Sequence, residues 1–240
     1  MIFNYDMRFG TFIKRPNRFI AHIDIEGKEV ICHVPNTGRM KELLTPNTKV
    51  MLSYESGKHR KTQYELRMVM KNGKWISVDS QLPNALAFEA IESKVIDELN
   101  EYSEIKKEVT YENSRFDLQL RKKVDQSSAP LSNQDICFVE VKGVTLEEDG
   151  WTYFPDAPTA RGRKHIDELI HAVDNGYKAV ILFVIQIEDV NGFTPNTKTD
   201  PAFSEKLNDA ARAGVEILAY RCRVSPEEVK IIEKVPVVLD

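Results

Sequence analysis

Hydrophobic and polar positions between residues 10 and 80 alternate in short runs: FGTFIK, RFIAHIDI, KEVICHV, KVMLSY, QYELRMVM and KWISVD. Each run is rich in β-branched and aromatic residues and is bounded by turn signals such as EGK, ESGK and KNGK. Between the third and fourth runs lies PNTGRMKELLTPN, where Arg39 to Leu44 are spaced for one or two helical turns. Five or six strands with a short helix in the middle predict a small barrel of the OB type, a class that often binds oligonucleotides. QLPN then marks a boundary, giving an OB-like domain over 1–81 and a second domain over 82–240.

In the second domain Asn84 is placed to cap a helix on which Phe88, Ile91, Val95 and Leu99 recur at helical spacing. KKEVTYEN and SRFDLQLR read as paired strands, followed by a polar surface loop, KKVDQSSAPLSNQD. LEEDGWTYF reads as a hairpin turning at Glu148-Asp149-Gly150. PDAPTARGRKHIDELIHAVDNG predicts a loop feeding a helix, with Ile166, Leu169, Ile170 and Val173 as its apolar stripe and Gly176 as its stop. KAVILFVIQI has the unbroken apolar character of a strand covered on both faces. A helix near Ser204–Ala213 and the strand VEILAYRC complete a mixed α/β domain with a central sheet, α+β overall once the barrel is counted.

One segment breaks the pattern. ICFVEVKGVTL, residues 136–146, reads as a buried strand, yet Glu140 and Lys142 share one of its faces with Ile136 and Phe138. An unpaired buried charge costs several kcal/mol, so these two need partners. Asp117, in FDLQL, lies on the polar face of a preceding strand with Arg115 and Gln119. Asp, then Glu-x-Lys, on neighbouring strands supplies two carboxylates for a hard divalent cation, predicted to be Mg2+ or Mn2+. Lys142 would orient the attacking water or offset charge building on phosphorus. The plain alternative is a buried salt bridge of Lys142 with Glu140 or Asp117 and no chemistry.

A second cluster is cationic. Arg161, Arg163, Lys164 and His165 crowd the first turns of a predicted helix, where the macrodipole favours an anion. Phosphate would satisfy both the charges and the free N–H groups; a solvated basic turn paired with Asp156, Asp167 or Glu168 is the alternative. KRPNR (Lys14, Arg15, Arg18) and KHRK (Lys58 to Lys61) resemble phosphate contacts on barrel loops. The net charge of −4 fits this division, since residues 1–80 carry 14 basic against 8 acidic side chains and residues 81–240 carry 19 against 29. The basic first domain therefore points to a polyanion partner. Cys32, Cys137 and Cys222 are scattered, and with no secretory signal or long apolar run a reduced cytoplasm and no membrane are expected.

HVPNTGRM (33–40), SRFD (114–117), FVEVKGVTL (138–146) and FPDAPTARGRKHIDEL (154–169) together resemble the sugar fermentation stimulation protein family, in family order across most of the chain. The resemblance implies an OB-like domain joined to a PD-(D/E)xK restriction-endonuclease-like domain, DNA as partner, and a role in regulating sugar catabolism. It implies that Asp117, Glu140 and Lys142 are the nuclease triplet. It also implies that Glu89, on the preceding helix, adds a carboxylate where some members of that superfamily have one; the alternative is an exposed helical glutamate. Phe116 stands where such nucleases often carry proline. Arg39 and its neighbours His33, Asn36 and Thr37 would face nucleic acid or the second domain, or else merely cap and solvate the short helix. Two functions follow, a metal-dependent nuclease or a DNA-binding regulator that does not cut. A small-molecule enzyme has no phosphate loop or nucleophile–His arrangement to support it. Oligomeric state stays open, a homodimer included.

Overall fold

The computed structural model describes residues 1–2, 6–55, 61–112, 114–123 and 132–239. Most of the KHRK turn and most of the polar loop before residue 132 lie outside them. The first domain contains β1 (Asp6–Asn17), β2 (Ile20–Ile25), β3 (Lys28–His33), β4 (Lys49–Tyr54), β5 (Tyr64–Lys71) and β6 (Lys74–Ser77). They are hydrogen-bonded in the order β3-β2-β1-β4-β5-β6, and a parallel pairing of β3 with β5 closes the barrel. Register shifts on β1 after Phe12 and after Lys14 let this 12-residue strand curl between two neighbours.

The one or two helical turns expected between β3 and β4 are reduced to one. Residues 39–44 make a single turn, with the N–H groups of Leu43 and Leu44 both donating to Met40 O, and Met40 sits at φ 46°. A left-handed Met40 cannot continue a right-handed helix, so the apolar Met40, Leu43 and Leu44 plug the barrel from a loop.

The second domain opens with α1 (Leu82–Glu92), then β7 (Tyr102–Tyr111), β8 (Ser114–Lys122), β9 (Ile136–Val144), β10 (Leu146–Glu148) and β11 (Trp151–Phe154). It continues with α2 (Ala160–Asp174), β12 (Lys178–Ile185), β13 (Gly192–Pro195), α3 (Pro201–Ala213), β14 (Glu216–Val224) and β15 (Val229–Lys234). Its central sheet runs β15-β14-β12-β9-β8-β7, with β9, β12 and β14 parallel and the outer strands antiparallel. A small sheet, β10-β11-β13, packs beside it. α1 ends earlier than the spacing of Val95 and Leu99 suggests, because Lys94 adopts φ 60° and Leu99 falls in a separate short 3-10 turn.

β9 lies between two cores, as its double apolar face predicts. Cys137, Val139 and Val141 pack with Leu86, Ala90 and Ile91 of α1. On the opposite face Phe138 packs with Phe116, ring centroids 5.0 Å apart, in the core shared with Ile166 and Leu169 of α2. Glu140 therefore projects beneath α2 from the middle of a buried strand. Among the described residues no helix is long and apolar enough to cross a membrane.

Candidate active site

The β8–β9 ladder ends at Leu118↔Val139. Beyond that end Asp117 reaches β9 through its side chain, close enough to Glu140 to feel its charge. Its Oδ2 accepts from the Val141 N–H at 2.8 Å, and its Oδ1 accepts from Asn84 Nδ2 at 2.7 Å. Asn84 is not the helix cap its sequence position suggests. Gln81 occupies that place, and Asn84, inside the first turn of α1, reaches across to β8.

Glu140 is 2% exposed. Its Oε1 accepts from Lys142 Nζ at 2.5 Å and from Nδ1 of His165 on α2. Its Oε2 is buried and has no hydrogen-bond partner among the described residues. Burial alone would push the Glu140 carboxyl upward; His165 and Lys142 together hold it below the ordinary glutamate range. Asp117 is displaced the other way, raised first by burial and then by the negative charge of Glu140. Two neighbouring carboxylates thus sit in different electrostatic states, a pattern concentrated at functional sites.

A divalent cation fits this arrangement. Leaving a carboxylate oxygen buried without a partner costs about 1–3 kcal/mol or more, and a cation would satisfy Glu140 Oε2 while offsetting the burial and the Glu140 charge that raise Asp117. Among the described residues no set of three or more His, Cys, Asp or Glu side chains converges as a metal cage. Two carboxylates are what Mg2+ takes when water and a substrate phosphate complete its shell.

The raised Asp117 predicts a pH signature. A folded-state pKa above the unfolded value means stability that is present at low pH and lost as pH rises through the folded pKa. Asp117→Asn removes that loss while keeping an acceptor for Val141 N–H. In EDTA its melting temperature should exceed that of the wild type at neutral pH, and the gap should close on acidification below the aspartate range. A substituted protein less stable than the wild type at neutral pH would refute the assignment.

The remaining expected site residues divide. Lys14, Arg18, Arg39, Arg161 and Lys164 are exposed, Lys164 beside Glu168 at 3.4 Å and Arg161 with its Nε 3.4 Å from His165 Nε2. Arg15 holds the backbone together, since its guanidinium donates to the carbonyls of Arg18, Asn36, Gly38 and Arg39 and shapes the β3–β4 loop. Arg163 grips Asp200, the buried cap of α3, through contacts of 2.8 and 2.6 Å, tying α2 to α3. Neither guanidinium is free for phosphate, which corrects the DNA-contact expectation for both. Glu89 does not join the carboxylate pair. It lies five residues from Asn84, about 140° around the helix at 3.6 residues per turn, and meets the Met1 amino group at 3.1 Å. His165, expected to contact DNA, instead faces Glu140. The signal was present in the spacing, because a helix that turns Leu169 to the sheet presents His165 one turn earlier.

A barrel of OB type followed by a restriction-endonuclease-like α/β domain, with Asp and Glu-x-Lys at the centre of its sheet, defines the class. A family model described as the SfsA N-terminal OB domain matches residues 13–78, and one described as the sugar fermentation stimulation protein RE domain matches 81–228. The chain belongs to the sugar fermentation stimulation protein family. A homolog from Clostridium tetani is 47% identical over 239 residues, covering all of both chains. One from Desulfitobacterium hafniense is 48% identical over 225 residues, covering 94% of this chain and 93% of the relative. Among solved structures, that of Pyrococcus furiosus SfsA in complex with Ca2+ superposes with a TM-score of 0.85 at 30% identity, covering 99% of this chain and 98% of the other.

Proposed function

We propose that this protein binds DNA and hydrolyses its phosphodiester bonds with a divalent cation, Mg2+ or Mn2+, held by Asp117 and Glu140. The observation that carries the proposal is the buried, unpartnered Oε2 of Glu140 beside the charge-strained Asp117. That a relative has been solved with Ca2+ supports a hard-cation site. When bound, the cation would supply Lewis-acid polarisation of a phosphoryl oxygen and acidify a bound water.

The chain's own residues do the rest. Asn84 and the Val141 N–H fix both oxygens of Asp117. His165 and Lys142 fix one oxygen of Glu140, leaving the other turned inward. The Lys142 ammonium, 14% exposed, places positive charge where negative charge accumulates on the nonbridging oxygens during attack. A P–O bond to water forms, the P–O bond to one sugar breaks, and the proton that the water gives up is the one that ends on the departing sugar oxygen. Exposed Lys14, Arg18, Arg39 and Arg161 would hold the backbone, so binding should weaken steeply with salt.

The test is cleavage of labelled single-stranded, duplex and branched DNA with Mg2+ or Mn2+, using Asp117→Ala as control. Wild-type cutting that Asp117→Ala lacks is expected; a wild type that cuts no faster than Asp117→Ala would overturn the nuclease reading. The family's association with sugar fermentation favours a second reading, a regulator that binds DNA without cutting. It predicts salt-sensitive binding that Asp117→Ala leaves intact.

A further inference from the structure

Immediately after Lys142 the two domains enclose a cavity of about 310 Å³. Its floor is Gly143–Thr145 at the end of β9, one wall is the β11–α2 connection, and the other is the barrel's 36–39 loop. That loop is held by specific contacts. Asp156 accepts the Arg39 N–H at 2.8 Å, and Asn36 Nδ2 donates to Val78 O at 2.9 Å. A Cβ on Gly38 would come within 2.6 Å of Asp156, so the close approach needs glycine.

Three features of the lining point to a ligand. Gln186 is 1% exposed; its Oε1 accepts from Ser77 Oγ at 3.3 Å, and its Nε2 lies on the Gly143 side, 3.6 Å from where a Cβ on that glycine would stand. It lines the cavity, so its amide group is open to whatever enters. Tyr153 also lines it, and its ring meets no other aromatic ring or cation among the described residues. Arg18 and Arg39 stand at the rim with no acidic partner for their side chains among the described residues.

We propose that this cavity receives one unpaired nucleotide next to the bond to be cut, so that the protein acts on single-stranded DNA or on frayed ends. A π-face for stacking, a side-chain amide to meet the base edge, and guanidinium groups for the flanking phosphates are the parts that recognise such a nucleotide. A base still paired in a duplex cannot enter a cavity this small; it would first have to leave the stack at a cost of a few kcal/mol. The floor begins three strand residues from Glu140, about 10 Å along β9 at the usual rise, and neither Glu140 nor Asp117 lines the cavity, so the nucleotide it receives lies beside the cleaved bond and not at it. The inference rests on the nuclease reading of the site.

The experiment is fluorescence anisotropy in EDTA, where no strand is cut, with a labelled 20-nucleotide single strand and the matching blunt duplex. The wild type should bind the single strand at least about tenfold more tightly. Tyr153→Ala and Gln186→Leu should each lose about fivefold or more of single-strand affinity and leave duplex affinity unchanged. Tyr153→Phe, which keeps the ring, should restore binding and show that the loss in Tyr153→Ala is not misfolding. Equal affinity for both DNAs, or a Tyr153→Ala protein that binds the single strand normally, would overturn the cavity's role and leave the nuclease reading standing. Binding of neither DNA at low salt would overturn both.

Discussion

Glu140→Gln should abolish metal-dependent cleavage, lowering the rate by at least about 10²-fold. The substitution keeps the volume and the acceptor for Lys142 and His165 but removes the charge that a cation would neutralise. It should also destabilise the metal-free protein, in contrast to Asp117→Asn. Glu140 lies below the ordinary glutamate range, so its ionised form contributes stability at neutral pH that fades as pH falls through the folded pKa. Thermal melts in EDTA check the sign, and a time course of DNA hydrolysis checks the rate. A Glu140→Gln enzyme cutting within a few-fold of the wild type would remove this carboxylate from the chemistry. One that is more stable at neutral pH would mean that Lys142 and His165 do not hold the carboxylate as described.

Arg67→Met should cost about 3–5 kcal/mol of stability. Arg67, with a side chain 10% exposed, is the central cation of the barrel's lower end, contacting Asp79, Glu55 and Glu65 at 2.5, 2.9 and 3.0 Å. Its Nε also donates to Ser53 Oγ at 2.9 Å. Removing it takes away the cation that these three carboxylates share. Asp79 also accepts the Gln81 N–H at 2.9 Å, so the same loss loosens the entry to α1 and, through Asn84, the support of Asp117. Chemical denaturation measures the effect. A loss under about 1 kcal/mol, the range of surface ion pairs, would show the network to be dispensable.

The parts of this fold legible in the sequence are those governed by local pattern. Two-residue alternation placed the barrel strands, and the doubly apolar run around Val139 placed β9 between two layers. The conflict between that burial and the charges of Glu140 and Lys142 exposed the site itself, because an interior charge demands a partner whatever the fold. Arg15 and Arg163 were misjudged for the converse reason. A cation's sequence neighbours do not disclose whether carbonyls 21 to 24 residues away, or Asp200 37 residues away, will occupy it. Asn84 and Gln186 carry signals that mean other things locally, a helix cap and the end of a buried strand. Only the packing of α1 on the sheet and of one domain on the other gives them these roles. Glu89 shows that a carboxylate on the right helix also needs the right face.

If Asp117 and Glu140 form one cation site, titration calorimetry of Mn2+ into the native protein will show it. The wild type should give a saturable heat that strengthens as pH rises, because protons compete for Asp117, and that is absent in Asp117→Asn and in Glu140→Gln. A wild type that gives no heat, or substituted proteins that bind Mn2+ as the wild type does, would contradict a shared site.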